Sequence, residues 1–503
     1  SSSELDAEGK ITIDGVKYHA EILFEPETYE EKIHLVKDDG SPEPAKEKAE
    51  DEPAPTETPA PRAGLLTAGE WNDLNNWGKH WADLLADNEI EPFQKQWRCF
   101  PKNRYTFLLT NKNDHPLVDA TVKIFDQTGN LLWETRTDNT GKAECWTGFF
   151  DEKTPESVAA QVIFEGKTKN LGHPLVFEKG LNRHALDFEC GAPNNVDIVF
   201  AVDATGSMGD EIRYLQTELI DVLGRAQAAN PDVQLRTGSV FYRDKTDEYV
   251  VKASGLTSDI SKTVDYIKKQ SADGGGDWPE AVHSALEEVV FHQKWSEKAV
   301  ARICFLVLDA SPHNEPEVKI SLQKSIAAAA AKGIRIVPVV ASGIQKETEW
   351  LMKFMDLATN GSYVFLTDHS GIGGKHLEPT TDEYKVELLN DLLVRIISEY
   401  ASVKSCEGKS EIRFQPDNQN QQTPPAKAVF YPNPASTQFQ VDLPFDVDIL
   451  TLYNAEGKAV KSIKKAAKGT QTILVGDLPE GIYTLRILKG NQWQSGKVMV
   501  VRS

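Results

Sequence analysis

The sequence predicts a multidomain protein with a central α/β domain, in which a mostly parallel sheet carries helices on both faces, and with β-rich modules on either side. The chain has 503 residues, more than one hydrophobic core usually serves. Between residues 191 and 406, apolar strand-like runs alternate with amphipathic helical segments, a pattern typical of parallel sheets. Short strand-like runs separated by turn residues precede and follow this region. We therefore expect an N-terminal helical and β-sandwich module and a C-terminal β-sandwich.

The first 64 residues predict a short β segment over 1–37 and a linker over 38–64. The linker stretch is acidic and rich in proline, a composition that disfavours both helix and sheet and resists collapse. The chain starts with three serines rather than an apolar signal segment, as expected for a mature or trimmed form.

Residues 65–190 predict a helical segment followed by a β-sandwich. Large apolar residues recur at three- and four-residue spacing, which indicates an amphipathic helix; they are Trp71, Leu74, Trp77, Trp81, Leu84 and Leu85. The stretch 116–141, with its hairpin turn residues, resembles the immunoglobulin-like sandwiches of the carboxypeptidase-regulatory-like and Cna-B-like type.

Residues 191–406 predict a Rossmann-like α/β domain. Its apolar runs, which we interpret as strands, lie at 196–203, 234–242, 302–309, 334–341 and 363–366. In an open parallel sheet, ligands bind beyond the carboxyl ends of the strands. Polar residues that follow these runs are therefore the first candidates for a functional site.

One such loop follows the first predicted strand directly. Asp203, Thr205 and Ser207 bring one carboxylate and two hydroxyls to the end of that strand. This Asp-x-Thr-x-Ser loop resembles the Asp-x-Ser-x-Ser pattern of the metal-ion-dependent adhesion site (MIDAS) in von Willebrand factor A (vWA) domains and integrin inserted domains. Thr205 replaces the middle serine and keeps its hydroxyl. The resemblance implies that these three side chains take part in holding a divalent cation.

The same resemblance extends the predicted ligand set to two further loops. Asp309 ends the third predicted strand and matches the last aspartate of the family's site. Asp277 lies in the glycine-rich segment 274–280, where the family usually has a threonine. A branch of vWA proteins with such a segment also carries Tyr-Arg-Asp after the second strand, which makes Asp244 a candidate for supporting the ligands. An ordinary solvated turn is an equal alternative for Asp244.

The predicted ligands favour a hard cation. Three carboxylates at one sheet edge repel one another unless a cation neutralises them. Ligation by oxygen alone suits Mg²⁺, with Ca²⁺ or Mn²⁺ as substitutes. The resemblance implies an open coordination position that an acidic side chain of a partner protein fills. The extra negative charge of Asp277 weakens that attraction, so a purely structural metal is the alternative.

The cysteines bear on the compartment. Cys190 precedes the first strand of the α/β domain and Cys406 follows its last helix, and some extracellular vWA domains join their termini by such a disulfide. Cys99 and Cys145 form the second candidate pair, which leaves Cys304 as a buried thiol. Disulfides require export, whereas five reduced cysteines would indicate a cytosolic protein.

The C-terminal region supports export. A polar stretch over 407–426 predicts a second linker, and residues 427–503 contain strand-like runs with intervening turns. Its motifs resemble the type A C-terminal sorting domain of the Bacteroidetes type IX secretion system; they are Phe430-Tyr431-Pro432-Asn433-Pro434, Leu452-Tyr453-Asn454 and Leu478-Pro479-Glu480-Gly481-Ile482-Tyr483. The resemblance implies contact with that machinery, passage across the outer membrane, and display on the cell surface or release.

Charge and motifs exclude other classes of function. The formal charge of −21 opposes nucleic-acid binding, and no apolar run of about 18 residues predicts a transmembrane helix. No nucleophile elbow or HExxH motif indicates an enzyme. We expect metal-dependent binding of a partner protein in adhesion or surface assembly. The alternative is a scaffold of a surface complex in which the metal only stabilises the vWA loops.

Overall fold

The computed structural model describes thirteen stretches of the chain, namely residues 10–13, 16–25, 30–37, 62–81, 84–85, 90–275, 279–372, 375–381, 384–403, 406, 428–454, 458–489 and 492–502. Residues 38–61 of the first predicted linker, and all of the second at 407–426, lie outside these ranges. The chain forms two compact units, Ser1–Ala60 and Pro61–Ser503. The first contains an antiparallel sheet of strands β1 (Lys10–Ile13), β2 (Val16–Glu25) and β3 (Glu30–Lys37).

The second unit begins with a strand, a short π-helical turn and a helix, and continues into two small sheets. The first elements are strand β4 (Thr67–Trp71), the π-turn Trp77–Trp81 and helix α1 (Glu91–Trp97). The strands of the two sheets are β5 (Asn103–Asn111), β6 (Thr121–Asp126), β7 (Leu131–Arg136), β8 (Lys142–Thr147), β9 (Val158–Phe164), β10 (Lys167–Gly172) and β11 (Asn182–Leu186). One sheet has the order β10-β9-β6-β7 and the other β11-β5-β8. Phe107 and Val122, one from each sheet, lie in the same apolar core.

The central domain contains an eight-stranded sheet with the order β14-β13-β12-β15-β16-β17-β4-β18. Its strands are β12 (Asn195–Asp203), β13 (Gln234–Tyr242), β14 (Val251–Thr257), β15 (Ala301–Leu308), β16 (Ile334–Val340), β17 (Tyr363–Leu366) and β18 (Glu387–Leu388), together with β4. Its helices are α2 (Ile212–Ala229), α3 (Ile260–Ile267), α4 (Val282–Glu287), α5 (Pro316–Lys332), α6 (Lys346–Thr359) and α7 (Leu389–Ala401), with a π-turn at Glu288–His292 after α4. The five neighbouring strands β13, β12, β15, β16 and β17 run parallel to one another. Their near-continuous apolar sequences are buried on both faces, as expected for a parallel sheet.

The structure differs from the predicted helix that begins at Leu65. Residues 67–71 instead form β4, which pairs antiparallel with β17 and with β18. The spacing of the tryptophans suits a helix, but pairing covers the otherwise open edge of β17, and such tertiary context overrides local pattern. Gly69 allows the close packing, because a Cβ there would lie 2.6 Å from the rings of Phe365 and Tyr384. Residues 67–71 therefore belong to the central sheet, whereas Trp77–Trp81 and Glu91–Trp97, also before the sandwich, are helical.

The start of β4 is anchored by one buried carboxylate. Glu218 of α2 accepts hydrogen bonds from the backbone amides of Gly64, Leu65 and Leu66, at 2.9 to 3.1 Å. Charge-assisted bonds of this kind are stronger than neutral ones, so they fix where the chain enters the sheet.

The C-terminal region folds around its own core. Its strands are β19 (Val429–Tyr431), β20 (Gln438–Leu443), β21 (Val447–Tyr453), β22 (Ala459–Ala466), β23 (Gly469–Leu474), β24 (Gly481–Lys489) and β25 (Gln492–Val500). They form two antiparallel sheets, β19-β20-β23 and β22-β21-β24-β25. Arg486 of β24 contacts the central domain, where its Nε lies 2.8 Å from a carboxylate oxygen of Glu378.

One predicted disulfide is present and the other is wrong. Cys190 and Cys406 are bonded, whereas Cys99 and Cys145 are both reduced and buried. The Cys99 thiol donates to the carbonyl of Trp97 and packs in the apolar core, as does Cys145. Both behave as small apolar side chains, and burial raises the pKa of each thiol well above its usual range. Cys304 is a buried thiol, as predicted.

We expect the Cys190→Ala/Cys406→Ala double variant to unfold more easily. The bond joins residues 216 positions apart, and closing so long a loop contributes about 5 kcal/mol in the entropic account. Guanidinium unfolding checks this, with dithiothreitol as the control, since reductant should lower the wild-type midpoint and leave the variant unchanged. A variant as stable as the wild type would contradict the prediction.

We also expect Glu144 to contribute stability that acid removes. Burial raises the pKa of Glu144, but the charge and hydrogen bonds of buried Arg104 oppose this effect, and the resulting pKa lies below the ordinary 4.5. Nε and Nη2 of Arg104 each lie 2.8 Å from a carboxylate oxygen of Glu144. Because the folded pKa is depressed, this stability is complete above pH 4.5 and is lost as the pH falls through the folded pKa. Glu144→Gln should therefore cost about 3–5 kcal/mol at pH 7, since Arg104 loses its partner, and less in acid. Urea unfolding at several pH values measures both, and a penalty independent of pH would refute this assignment.

Candidate functional site

The first predicted loop forms at the carboxyl edge of the central sheet. Asp203 is the last residue of β12 and lies opposite Tyr242 in the parallel register with β13. Its Oδ1 accepts hydrogen bonds from the backbone amide of Thr205 at 2.9 Å and from the Thr205 hydroxyl at 2.6 Å. The Thr205 and Ser207 hydroxyl oxygens are 3.1 Å apart. The loop thus gathers a carboxylate and two hydroxyls, as predicted from their spacing.

Two further carboxyl groups reach this edge from neighbouring loops. Asp309 follows β15, which runs parallel to β12 and so ends at the same edge. Glu280 is held beside it, because its backbone amide donates to the carbonyl of Ser311 at 2.9 Å. Asp203, Asp309 and Glu280 are all at least 96% buried. Burial of three acidic side chains so close together is costly unless something compensates their charge.

Each of these carboxyls keeps a buried oxygen without a hydrogen-bond partner among the described residues: Oδ2 of Asp203, Oδ1 of Asp309 and Oε2 of Glu280. Burial raises the pKa of Asp203 to about 6, against the hydrogen bonds from Thr205 that lower it. Burial and the charge of Asp203 raise the pKa of Asp309 to about 7. Burial and the charges of Asp203 and Asp244 raise that of Glu280 to about 9. The site therefore favours an added positive charge.

A layer of polar contacts holds the loops in place. Arg243 donates from Nε to the carbonyl of Ala204 at 3.0 Å and from Nη2 to that of Ser271 at 2.9 Å. Asp247 accepts from the amides of Asp244 and Gly275 at 2.9 to 3.1 Å. These bonds tie the loop after β13 and the glycine-rich segment to the loop that carries Thr205.

Asp244 contacts a histidine from a neighbouring loop. Its Oδ1 lies 2.6 Å from Nε2 of His313, in the loop after Asp309, and the carboxylate is 4% exposed. The pair links the loops that follow β13 and β15. The interpretation of Asp244 as an ordinary solvated turn therefore does not fit its burial.

The structure brings together four of the five predicted ligands. Asp203, Thr205 and Ser207 share one loop, and Asp309 lies close enough for Ser207 to lower its pKa and for the charge of Asp203 to raise it. Asp277 lies outside the described residues. Within the part of the chain that the structure describes, no three His, Cys, Asp or Glu side chains are arranged to hold a metal ion by themselves. A metal here would therefore depend on the hydroxyls as well as the carboxylates.

Sequence reasoning missed three residues at this edge: Glu280, Asp247 and His313. Glu280 closes the glycine-rich segment 274–280, and Asp247 follows Asp244 by three residues, so both had a local signal. The role of His313 depends on a contact between loops 69 residues apart, for which the sequence offers no signal.

Two family models match the chain. The von Willebrand factor type A domain matches residues 197–373, and the secretion system C-terminal sorting domain matches residues 429–501. The chain therefore contains a vWA domain followed by a sorting domain, as predicted. The sorting domain indicates export by type IX secretion, to the cell surface or beyond it.

Other similarities are narrower. A curated relative from Acanthamoeba polyphaga mimivirus, described as an ariadne-like RING finger protein, is 30% identical over 131 residues, which are 26% of this chain and 12% of the relative. The solved structure of BatB, a conserved hypothetical protein of Bacteroides thetaiotaomicron, has 13% identity and a TM-score of 0.29. An aerotolerance-related membrane protein of Bacteroides fragilis has 11% identity and a TM-score of 0.27. Each alignment with a solved structure covers 41% of this chain and 98% of the other.

The described helices include none that is both long and apolar enough to cross a membrane.

We expect Gly275→Ala to destabilise the site loops. Gly275 has a φ of +65°, and a Cβ there would lie 2.7 Å from Cβ of Thr205. Strain of this kind costs about 1–3 kcal/mol. Thermal unfolding of the purified chain measures the loss. Gly255→Ala is the matched control, because its Cβ would meet nothing within 4 Å; equal melting temperatures for the two variants would disprove the role of Gly275.

Proposed function

We propose that this exported protein binds a divalent cation at the loops after β12 and β15, and through that cation an acidic side chain of a partner protein. The observation that carries the proposal is the pair of buried, unpartnered oxygens on Asp203 and Asp309 beside the Thr205 and Ser207 hydroxyls. Buried polar atoms normally have partners, so exceptions at a sheet edge suggest a missing ligand.

The chemistry of the donors selects the cation. Asp203, Asp309, Thr205 and Ser207 offer only oxygen, which suits Mg²⁺ first and Ca²⁺ or Mn²⁺ as substitutes. The imidazole of His313, beside this edge, is paired with Asp244. A soft metal that prefers nitrogen or sulfur is therefore a poor match.

The burial of the ligands gives the cation one accessible side. Asp203 and Asp309 are buried, whereas Ser207 is exposed. A cation among them would be enclosed by protein on the side of Asp203 and Asp309 and accessible to solvent on the side of Ser207. A carboxylate from another protein is the natural ligand for that position, since hard cations prefer oxygen donors. Adhesion or surface assembly fits a protein that carries a sorting domain for export.

Cation binding is tested by thermal unfolding in Mg²⁺, Ca²⁺ and Mn²⁺. Because a ligand that binds only the folded state stabilises it, 100 times the dissociation constant should add about 2.7 kcal/mol. EDTA should reverse the gain. Isothermal titration calorimetry with Mg²⁺ gives the stoichiometry independently, and one cation per chain is the expected value. No heat and no shift in melting temperature with any of the three cations would refute the site.

Asp309→Asn gives a sharper test. Without metal, this variant should be as stable as the wild type or more so, because it removes one of several mutually repelling buried carboxyls. With Mg²⁺, it should lose most of the cation-dependent gain. Asp265→Asn, which alters an exposed carboxylate on α3, is the matched control and should retain the full gain. A normal Mg²⁺ response of Asp309→Asn would exclude Asp309 as a ligand.

Partner binding is tested separately from cation binding. We expect the full chain to capture cell-surface proteins in Mg²⁺ and to release them in EDTA, and Asp203→Ala to capture none. If Mg²⁺ raises the melting temperature but capture is the same for the wild type and Asp203→Ala, the metal is structural and the protein acts as a scaffold.

A further inference from the structure

A second cluster of charged side chains lies far from the sheet edge, in the core between β4 and α6. Nζ of Lys353 is 3.0 Å from Oδ1 and 3.1 Å from Oδ2 of Asp73. Both side chains are fully buried. The amine is almost equally distant from the two oxygens and therefore faces the carboxyl carbon between them. Few lysines are buried so completely, and this one is held in direct contact with a buried carboxyl group.

The surroundings of this pair are apolar and aromatic. The Lys353 amine lies 5.1 Å from the ring centroid of Tyr363, 5.8 Å from that of Trp350 and 5.9 Å from that of Trp71. Both side chains are therefore shielded from water. Transfer of one proton from Lys353 to Asp73 produces a neutral amine and a neutral acid. Those are the forms that react with each other.

Two indole groups face one oxygen of the same carboxyl. Nε1 of Trp71 donates to Oδ1 of Asp73 at 3.0 Å, and Nε1 of Trp81 donates to the same atom at 2.9 Å. Two fixed donors on a single oxygen form the arrangement that stabilises an oxyanion during acyl transfer. Neither indole donates to Oδ2 in these contacts, so Oδ2 is the oxygen that can leave.

A third carboxyl group lies next to the pair. Asp356 follows Lys353 by three residues on α6, so both side chains project from the same face of the helix. Asp356 is 1% exposed, and its Oδ2 has no hydrogen-bond partner among the described residues. Burial and the charge of Asp73 raise the pKa of Asp356 well above its usual range. The raised pKa favours the protonated form of Asp356, from which a proton can pass to the neighbouring carboxyl.

We propose that Lys353 and Asp73 form an intramolecular amide bond between Nζ and Cγ. Nζ of the neutral amine attacks Cγ of the neutral acid, and the negative charge develops on Oδ1 between the two indoles. Asp356 donates its proton to the Oδ2 hydroxyl, which leaves as water, and accepts a proton from Nζ. The products are one amide and one water, and Asp356 ends as it began. No oxidant, cofactor or metal is required.

This bond would have a specific mechanical effect. It joins residues 280 positions apart and so encloses the whole sandwich, β5 to β11, between its two ends. Force applied to the chain on either side would pass through the amide rather than through the hydrogen bonds of β4. Such a crosslink suits a protein exported to the cell surface, and it is independent of the proposed cation site.

Mass spectrometry of the purified full chain tests the proposal. After the disulfide has been reduced and the thiols alkylated, the denatured wild type should be lighter by one water than the mass calculated for the uncrosslinked, alkylated chain. A protease digest should yield a branched peptide that joins the segment around Asp73 to the segment around Lys353. A wild type of full mass whose two segments appear only as separate peptides would overturn the proposal.

Two variants identify the reacting groups. Lys353→Arg retains the positive charge but cannot form the amide, so it should have full mass. Asp356→Asn removes the proton carrier and leaves the reacting pair unchanged. Most molecules of this variant should therefore have the full mass, without loss of water. Lys332→Arg is the matched control and should lose one water like the wild type. A water loss that persists in Lys353→Arg would place the modification elsewhere and sink the assignment; the wild-type mass decides the question even if a variant fails to fold.

Discussion

The parallel pairing of β12 with β13 and β15 determines where the loops of the candidate site lie. All three strands end at the same edge of the sheet, so the loops that follow them converge. The strands are apolar and buried on both faces, which leaves the loops as the place for polar chemistry. Asp203 and Asp309 are buried because the sheet holds them there, not because their own chemistry favours it. The unusual electrostatics of the site follow from that constraint.

Three of the clusters of buried charge in the described residues are compensated in different ways. Arg104 and Glu144 form a two-bond ion pair inside the sandwich, with hydrogen bonds at 2.8 Å that satisfy both groups. Lys353 and Asp73 are also paired, but a third carboxyl lies beside them. At the sheet edge, carboxyls are gathered with no cationic side chain bonded to Asp203 or Asp309 among the described residues. The first arrangement is structural, the second suits condensation, and the third suits an external cation.

The central domain also depends on chain that is distant in sequence. Strand β4 precedes the sandwich in the sequence and yet covers the edge of β17. The sandwich is therefore inserted, in sequence, between two strands of one sheet. The Cys190–Cys406 bond closes the rest of the domain near its own ends. The sandwich and the vWA domain belong to the same compact unit.

The alternation of strands and helices, the Asp203-x-Thr205-x-Ser207 loop, the Cys190–Cys406 bond and the sorting domain could be predicted, because each is encoded in local periodicity, short-range spacing or position relative to the domain ends. Other features depend on contacts that form only in the folded chain. Residues 67–71 begin the segment predicted as a helix but form a strand, since pairing with β17 outweighs local preference. Cys99 and Cys145 flank a β region but remain thiols, because each is held in the core by its own packing. Glu280, His313 and the Lys353–Asp73 pair acquire their chemistry from neighbours that only folding brings within reach.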